Sequence, residues 1–219
     1  MPNADLIRTF AQTFGLPYTP EPQNLPALAN HRHLHLGKLA DFYHHMDGTW
    51  QGENPRADYW LEMQTLFLQW LPYAGLREIW NDWAFGWNNK AKQYLPTDGW
   101  REEWAVFGNM FDDSILFADT AAPGSPVYWL TTGYSTVYWL TTGYSTVENR
   151  RLIAPSVAAL IHTLLAIHRF EQEWQAAGGL FYDEAEGGKP EDLLTALHDL
   201  LLHELPPECA VGFEAAFWG

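Results

Sequence analysis

The chain has a single cysteine, Cys209, among 219 residues. No internal disulfide can staple it, so its stability must come from burial. Basic residues are scarce too. Twelve Lys and Arg stand against 27 Asp and Glu, a formal net charge of −15. Such a field repels nucleic acid and anionic membrane and steers basic partners inward. The longest apolar stretch, VAALIHTLLAI at 157–167, is too short to span a bilayer and contains His162. The opening MPNADLIRTF lacks a basic start followed by an apolar run, so no signal peptide is read there. These absences together lead us to expect a cytoplasmic protein that uses neither membrane nor nucleic acid as a partner.

Catalytic signatures are also missing. GYSTV lacks the second glycine of a nucleophile elbow, and there is no phosphate loop or dinucleotide fingerprint. His31, His33 and His35 alternate, with His44 and His45 downstream, but no cysteine or carboxylate lies at ligand spacing. His198 and His203 are five apart on an expected helix, not the four of a zinc-protease pair, and His162 and His168 fail the same test. Asp112 and Asp113 read as turn chemistry, and Cys209 follows two prolines without an evident histidine partner. No cofactor, no metal and no enzymatic activity are expected.

What the chain does have is tryptophan, twelve in all and ten of them at 50–139, where most must be core. Trp100, Trp104, Tyr128 and Trp129 line either the packed face of a sheet or a ligand groove. The chain also has a perfect tandem repeat: VYWLTTGYST occurs at 127–136 and again at 137–146. Each copy runs β-branched and aromatic residues into a Gly-Tyr-Ser turn, hence strand then turn. One copy suffices for a hairpin feeding the next helix. The second is a bulged-out loop, an extra or exchanged strand that offers a pairing edge and a homodimer, or an alternative register.

Along the chain, Leu6, Ile7, Phe10 and Phe14 predict a helix within 1–15, and PYTPEPQNLP at 17–26 is a proline-rich linker. Helical spacing recurs over 34–46 and from Leu76 to Trp83, and the apolar run 57–71, stopped by Pro72, reads as a helix or a strand-like run, with helix favoured. Short strand signals follow at 104–109, 114–120, 126–132, the repeat copy and 147–154. Pro155 opens a long apolar helix, and a Gly-rich break at 178–190 precedes a last helix carried by Leu193, Leu194, Leu197, Leu200 and Leu201. Helices, sheet, helices in that order predict an α+β fold with an antiparallel meander.

GKLADFYHHMDG (37–48), YAGLREIWNDW (73–83), WAVFGNMFDDSILFADT (104–120), and PVYWL with LIAPSVAALIHTLL (152–165) occur in the order and spacing of a known pattern. The chain resembles the SUKH superfamily, the Smi/Knr-like proteins, over about 30–170. The resemblance implies a curved, mostly antiparallel sheet flanked by helices, to which the repeat adds one extra strand or loop. With the segments on either side of the match, the chain is expected to divide into an N-terminal helix and linker (1–26), a SUKH-like domain (27–175) and an acidic helical extension (176–219) packed on it, the tail from 171 lying beyond the resemblance. The resemblance implies a protein-binding module without catalytic residues. Bacterial members are commonly immunity proteins that neutralise a secreted polymorphic toxin in the cytoplasm, and eukaryotic relatives are regulatory scaffolds. Within 171–208 ten acids face Lys189 alone, so the expected partner is a basic toxin such as a nuclease. The candidate contacts are Asp183, Glu184, Glu186, Glu191 and Asp192, with Trp129 and Tyr134 if exposed. The alternative is a regulatory scaffold with no toxin.

Overall fold

The computed structural model describes residues 4–24, 36–46, 60–88, 91–110, 114–131, 149–185 and 187–218. Helix α1 (Ala4–Thr13) buries Ile7, Phe10 and Ala11, one turn apart on a single face. Helix α2 (Leu39–His45) buries Leu39, Phe42 and Tyr43, and starts later than the spacing over 34–46 predicted. The linker is tied to α2: the Thr19 and Gln23 amides donate to the carbonyls of His45 and His44.

The expected helix over 57–71 is instead a hairpin, β1 (Trp60–Glu62) and β2 (Phe67–Trp70), paired antiparallel with Leu61 opposite Leu68. A short apolar run satisfies either period, and here long-range anchoring of the turn decides. The buried carboxylate of Glu171 accepts hydrogen bonds from the amides of Gln64 (3.1 Å) and Thr65 (2.7 Å) and from the Thr65 hydroxyl (2.6 Å). Amides that donate to Glu171 cannot also serve the interior ladder of a continuous helix over 57–71.

A 3-10 turn at Tyr73–Gly75 leads into α3 (Leu76–Ala84). Next comes an antiparallel ribbon the sequence reading missed, β3 (Phe85–Asn88) with β4 (Gln93–Pro96). The expected strands follow as β5 (Trp104–Asn109), β6 (Ile115–Asp119), β7 (Val127–Leu130) and β8 (Arg151–Ala154). The main sheet runs β1-β2-β5-β6-β7-β8 with antiparallel neighbours and curls into a half-barrel, confirming the α+β class. Strand β7 comes from the first copy of the repeat and is flanked by β6 and β8, so no described strand intervenes between β7 and β8. The second copy lies outside the described residues.

Cross-strand neighbours share a face. On one face Trp104, Phe117 and Tyr128 form a continuous ring ladder (4.7 and 5.4 Å between centroids), extended by Trp100 and by Trp83 of α3. Against the other, Phe10 of α1, Phe42 of α2, Trp70 and Phe107 cluster at 4.6–5.3 Å.

Helix α4 (Val157–Ala176) is capped by the Ser156 hydroxyl, which accepts from the Ala159 amide; Pro155 precedes the cap instead of opening the helix. The single expected C-terminal helix is two. α5 (Glu191–Glu204) ends before Pro206-Pro207, and α6 (Pro207–Phe217) then packs on β8. One core runs from Ile7 of α1 to Phe213 of α6. Among the described residues, no helix is long and apolar enough to cross a membrane.

Candidate partner-binding surface

Helix α5 is two-faced. Leu193, Leu197 and Leu201, four apart, are buried. Glu191, Asp192, Thr195, Ala196 and Asp199 occupy the opposite face, at helical positions one and two turns apart. Glu191 and Asp192 sit in the first turn, where the helix dipole favours negative charge. Asp183 joins them from the preceding loop. Its backbone pairs with Gly188 and its carboxylate accepts the Ala185 amide at 2.8 Å, which fixes the loop against the start of the helix. Together these residues and Pro190 line an open groove of about 690 Å³ carrying four carboxylates.

Three of the expected contacts, Asp183, Glu191 and Asp192, therefore converge. Glu184 is exposed on the same turn. Glu186 and Tyr134 lie outside the described residues. Trp129 is buried (8 % exposed) on the sheet, with the Arg151 guanidinium 5.8 Å from its ring, so the exposure its role required is not met. Asp199 was missed. Its signal was the spacing, seven residues after Asp192 and eight after Glu191, which returns it to the same helix face.

Lys189, the base nearest in sequence, is half-buried, and its pKa is lowered by burial. It makes no ion pair among the described residues. Elsewhere the acidic field is broken. A second groove, between α1 and α4, mixes Asp5 and Glu204 with His162 and Arg169.

The other candidates have structural settings. The imidazoles of His44 and His45 approach the carbonyls of Gln23 (2.6 Å) and Thr19 (2.9 Å), holding the linker. His198 pairs with Glu214 across α5 and α6 at 2.5 Å, and His203 with Glu204 at 3.2 Å. Among the described residues no group of histidine, cysteine and carboxylate has metal-binding geometry. His31, His33, His35, Asp112 and Asp113 lie outside the described residues. Of the four aromatics weighed as a groove, Trp100, Trp104 and Tyr128 belong to the ring ladder, with the Arg150 guanidinium 5.4 Å from Trp104 and 5.8 Å from Tyr128. Trp129, adjacent to Tyr128 on the strand, faces the other way.

Cys209 is buried on α6. Burial, and secondarily the Glu208 carboxylate, push its thiol from an ordinary 9.0 up to about 11. At neutral pH it is protonated and unreactive. Iodoacetamide is expected to leave native protein unlabelled under conditions that fully label it in urea, and rapid native labelling by mass spectrometry would contradict this burial. A raised thiol pKa favours the protonated folded state. Its contribution to stability is intact below pH 9.0 and is lost as pH rises towards about 11.

No family model, curated protein or solved structure matches this chain.

Proposed function

We propose that this protein is a binding module that holds a basic protein against the acidic face of α5. Following the SUKH resemblance, we propose that it acts as an immunity protein that neutralises a toxin in the bacterial cytoplasm by direct contact. The observation that carries the reading is the convergence of Asp183, Glu191, Asp192 and Asp199 on one open groove. Clustering four hydrated carboxylates costs the isolated protein only a modest, salt-screened repulsion. A cationic partner gains from all four at once, in association rate and in specificity. The antiparallel half-barrel with flanking helices is the architecture the resemblance implies, and it supports the same reading.

The test is affinity capture from the native host at moderate salt, read by mass spectrometry. It is run beside a variant carrying Asp183→Lys, Glu191→Lys, Asp192→Lys and Asp199→Lys. One stoichiometric partner with a basic, toxic domain is expected, its affinity falling about a hundredfold or more in the variant. A partner bound equally well by both proteins removes the acidic face from the interface. Capture of non-toxic regulatory or envelope proteins alone replaces the immunity reading with the scaffold.

A further inference from the structure

We propose that the groove between α1 and α4 is a binding site for a small zwitterion with an apolar body, of the class of apolar amino acids and short peptides. The groove is built on one stripe of α4. His162, Leu165, Ala166 and Arg169 follow one another at i, i+3, i+4 and i+7, so they share a helix face about 10 Å long. Ala166 is the small side chain of the four and sits in the middle, leaving a hollow that a longer one would fill. Leu165 and, from α1, Leu6 border that hollow, both half-buried. Asp5 and Thr9 of α1 and Glu204, the last residue of α5, complete the wall. The groove holds about 400 Å³. Small-molecule sites run from about 300 to 1,000 Å³ and pair an apolar floor with a few polar groups, as here.

The charges select the ligand. The Arg169 guanidinium and the His162 imidazole are exposed, and neither makes a hydrogen bond or an ion pair among the described residues. The acids in the same wall are already engaged: Asp5 Oδ1 takes the Arg8 guanidinium at 2.7 Å, and Glu204 Oε1 faces His203 Nδ1 at 3.2 Å. Each keeps its second oxygen, Oδ2 or Oε2, without a partner among the described residues. A simple anion would meet Arg169 and two carboxylates together. A simple cation would meet the carboxylates and Arg169 together. A zwitterion satisfies both signs: its carboxylate takes the guanidinium fork, its ammonium the free carboxylate oxygens, and its apolar body covers Leu6, Leu165 and Ala166. The groove on α5 has no base in its wall and offers a carboxylate nothing.

The test is a titration of the isotopically labelled full chain with leucyl-leucine and, separately, with leucine, followed by amide chemical shifts. Saturable shifts on the groove-lining turns of α1 and α4 are expected, with a Kd of about 0.1–1 mM for the dipeptide. The tighter of the two probes tells whether the ligand is a peptide or a free amino acid, and either supports the site. N-acetyl-leucyl-leucine and leucyl-leucine amide, each lacking one charge, should bind about tenfold more weakly or worse. Arg169→Ala should do the same and Arg169→Lys should recover part of the loss. Thr9→Trp should abolish binding by filling the groove from α1. Positions 9 and 169 are both exposed, so these variants should keep the fold. Three results would overturn the proposal: no saturable shift up to about 20 mM of either probe, blocked dipeptides that bind as tightly as the zwitterion, or binding that survives both Arg169→Ala and Thr9→Trp.

Discussion

Gly212→Ala is expected to destabilise the protein by about 3 kcal/mol or more, a fall in Tm of roughly 6–12 °C for a chain of this size. Helix propensity predicts the opposite sign. Glycine inside a helix is about 1 kcal/mol worse than alanine, so the same change on an open helix face would stabilise. What reverses the sign is the seat of α6 on β8. A Cβ at position 212 would collide with the Leu152 carbonyl oxygen and lie 3.0 Å from its carbon. These are backbone atoms of a paired strand, and no rotamer change can move them. Either α6 lifts, withdrawing Cys209, Ala210 and Phe213 from the core, or β8 parts from β7. Gly212→Val adds volume at the same point and should be worse. Val211→Ala, one position along and largely exposed, is the control and should be close to neutral. Chemical denaturation of the three variants decides it: a Gly212→Ala protein as stable as the parent, or more so, would mean that α6 does not approach β8 this closely.

Glu171→Ala should cost about 3–5 kcal/mol, because it strands donors in place and does not merely remove a contact. The carboxylate is 5 % exposed and accepts three hydrogen bonds from Gln64 and Thr65. The carbonyl of Thr65 in turn accepts the indole N–H of Trp218 at 3.0 Å. One side chain on α4 thus fixes the β1–β2 turn, and through it the end of the chain beyond α6. Glu171→Gln should cost less, about 1–2 kcal/mol, because the amide oxygen can keep the Thr65 bonds while its NH2 faces the Gln64 amide. The ordering Ala worse than Gln, together with faster amide exchange at 64 and 65 in both, is the expected signature. Identical losses for Gln and Ala would show that the carboxylate's bonds are not what holds the turn.

These two residues mark where sequence reading stops. Gly212 looks like an ordinary helix defect, and Glu171 like one more acid in an acidic tail. Their partners lie 60 and 106 residues away in the chain, beyond any local pattern. The run 57–71 was misread for the same reason: its apolar residues suit a helix by spacing, and only the Glu171 clamp and pairing with β5 make it a hairpin. The ribbon at 85–96 was invisible because two short strands that pair only with each other leave little periodicity. Acidic α5 was legible because its stripe of leucines and its stripe of carboxylates are both local to one helix.

By itself the sequence determined the α+β class, the meander from β5 to β8, the long helix α4, the concentration of negative charge near α5 and the equivalence of the two decapeptides. These follow from periodicity, turn chemistry and composition, which act over a few residues. Only the tertiary structure decided that Asp183 meets Asp199 in one groove and that Trp129 is buried. It alone seated α6 on β8 through a glycine and turned 60–70 into strands. Each of those depends on which distant segment supplies the missing contact, and on the space left once it has done so.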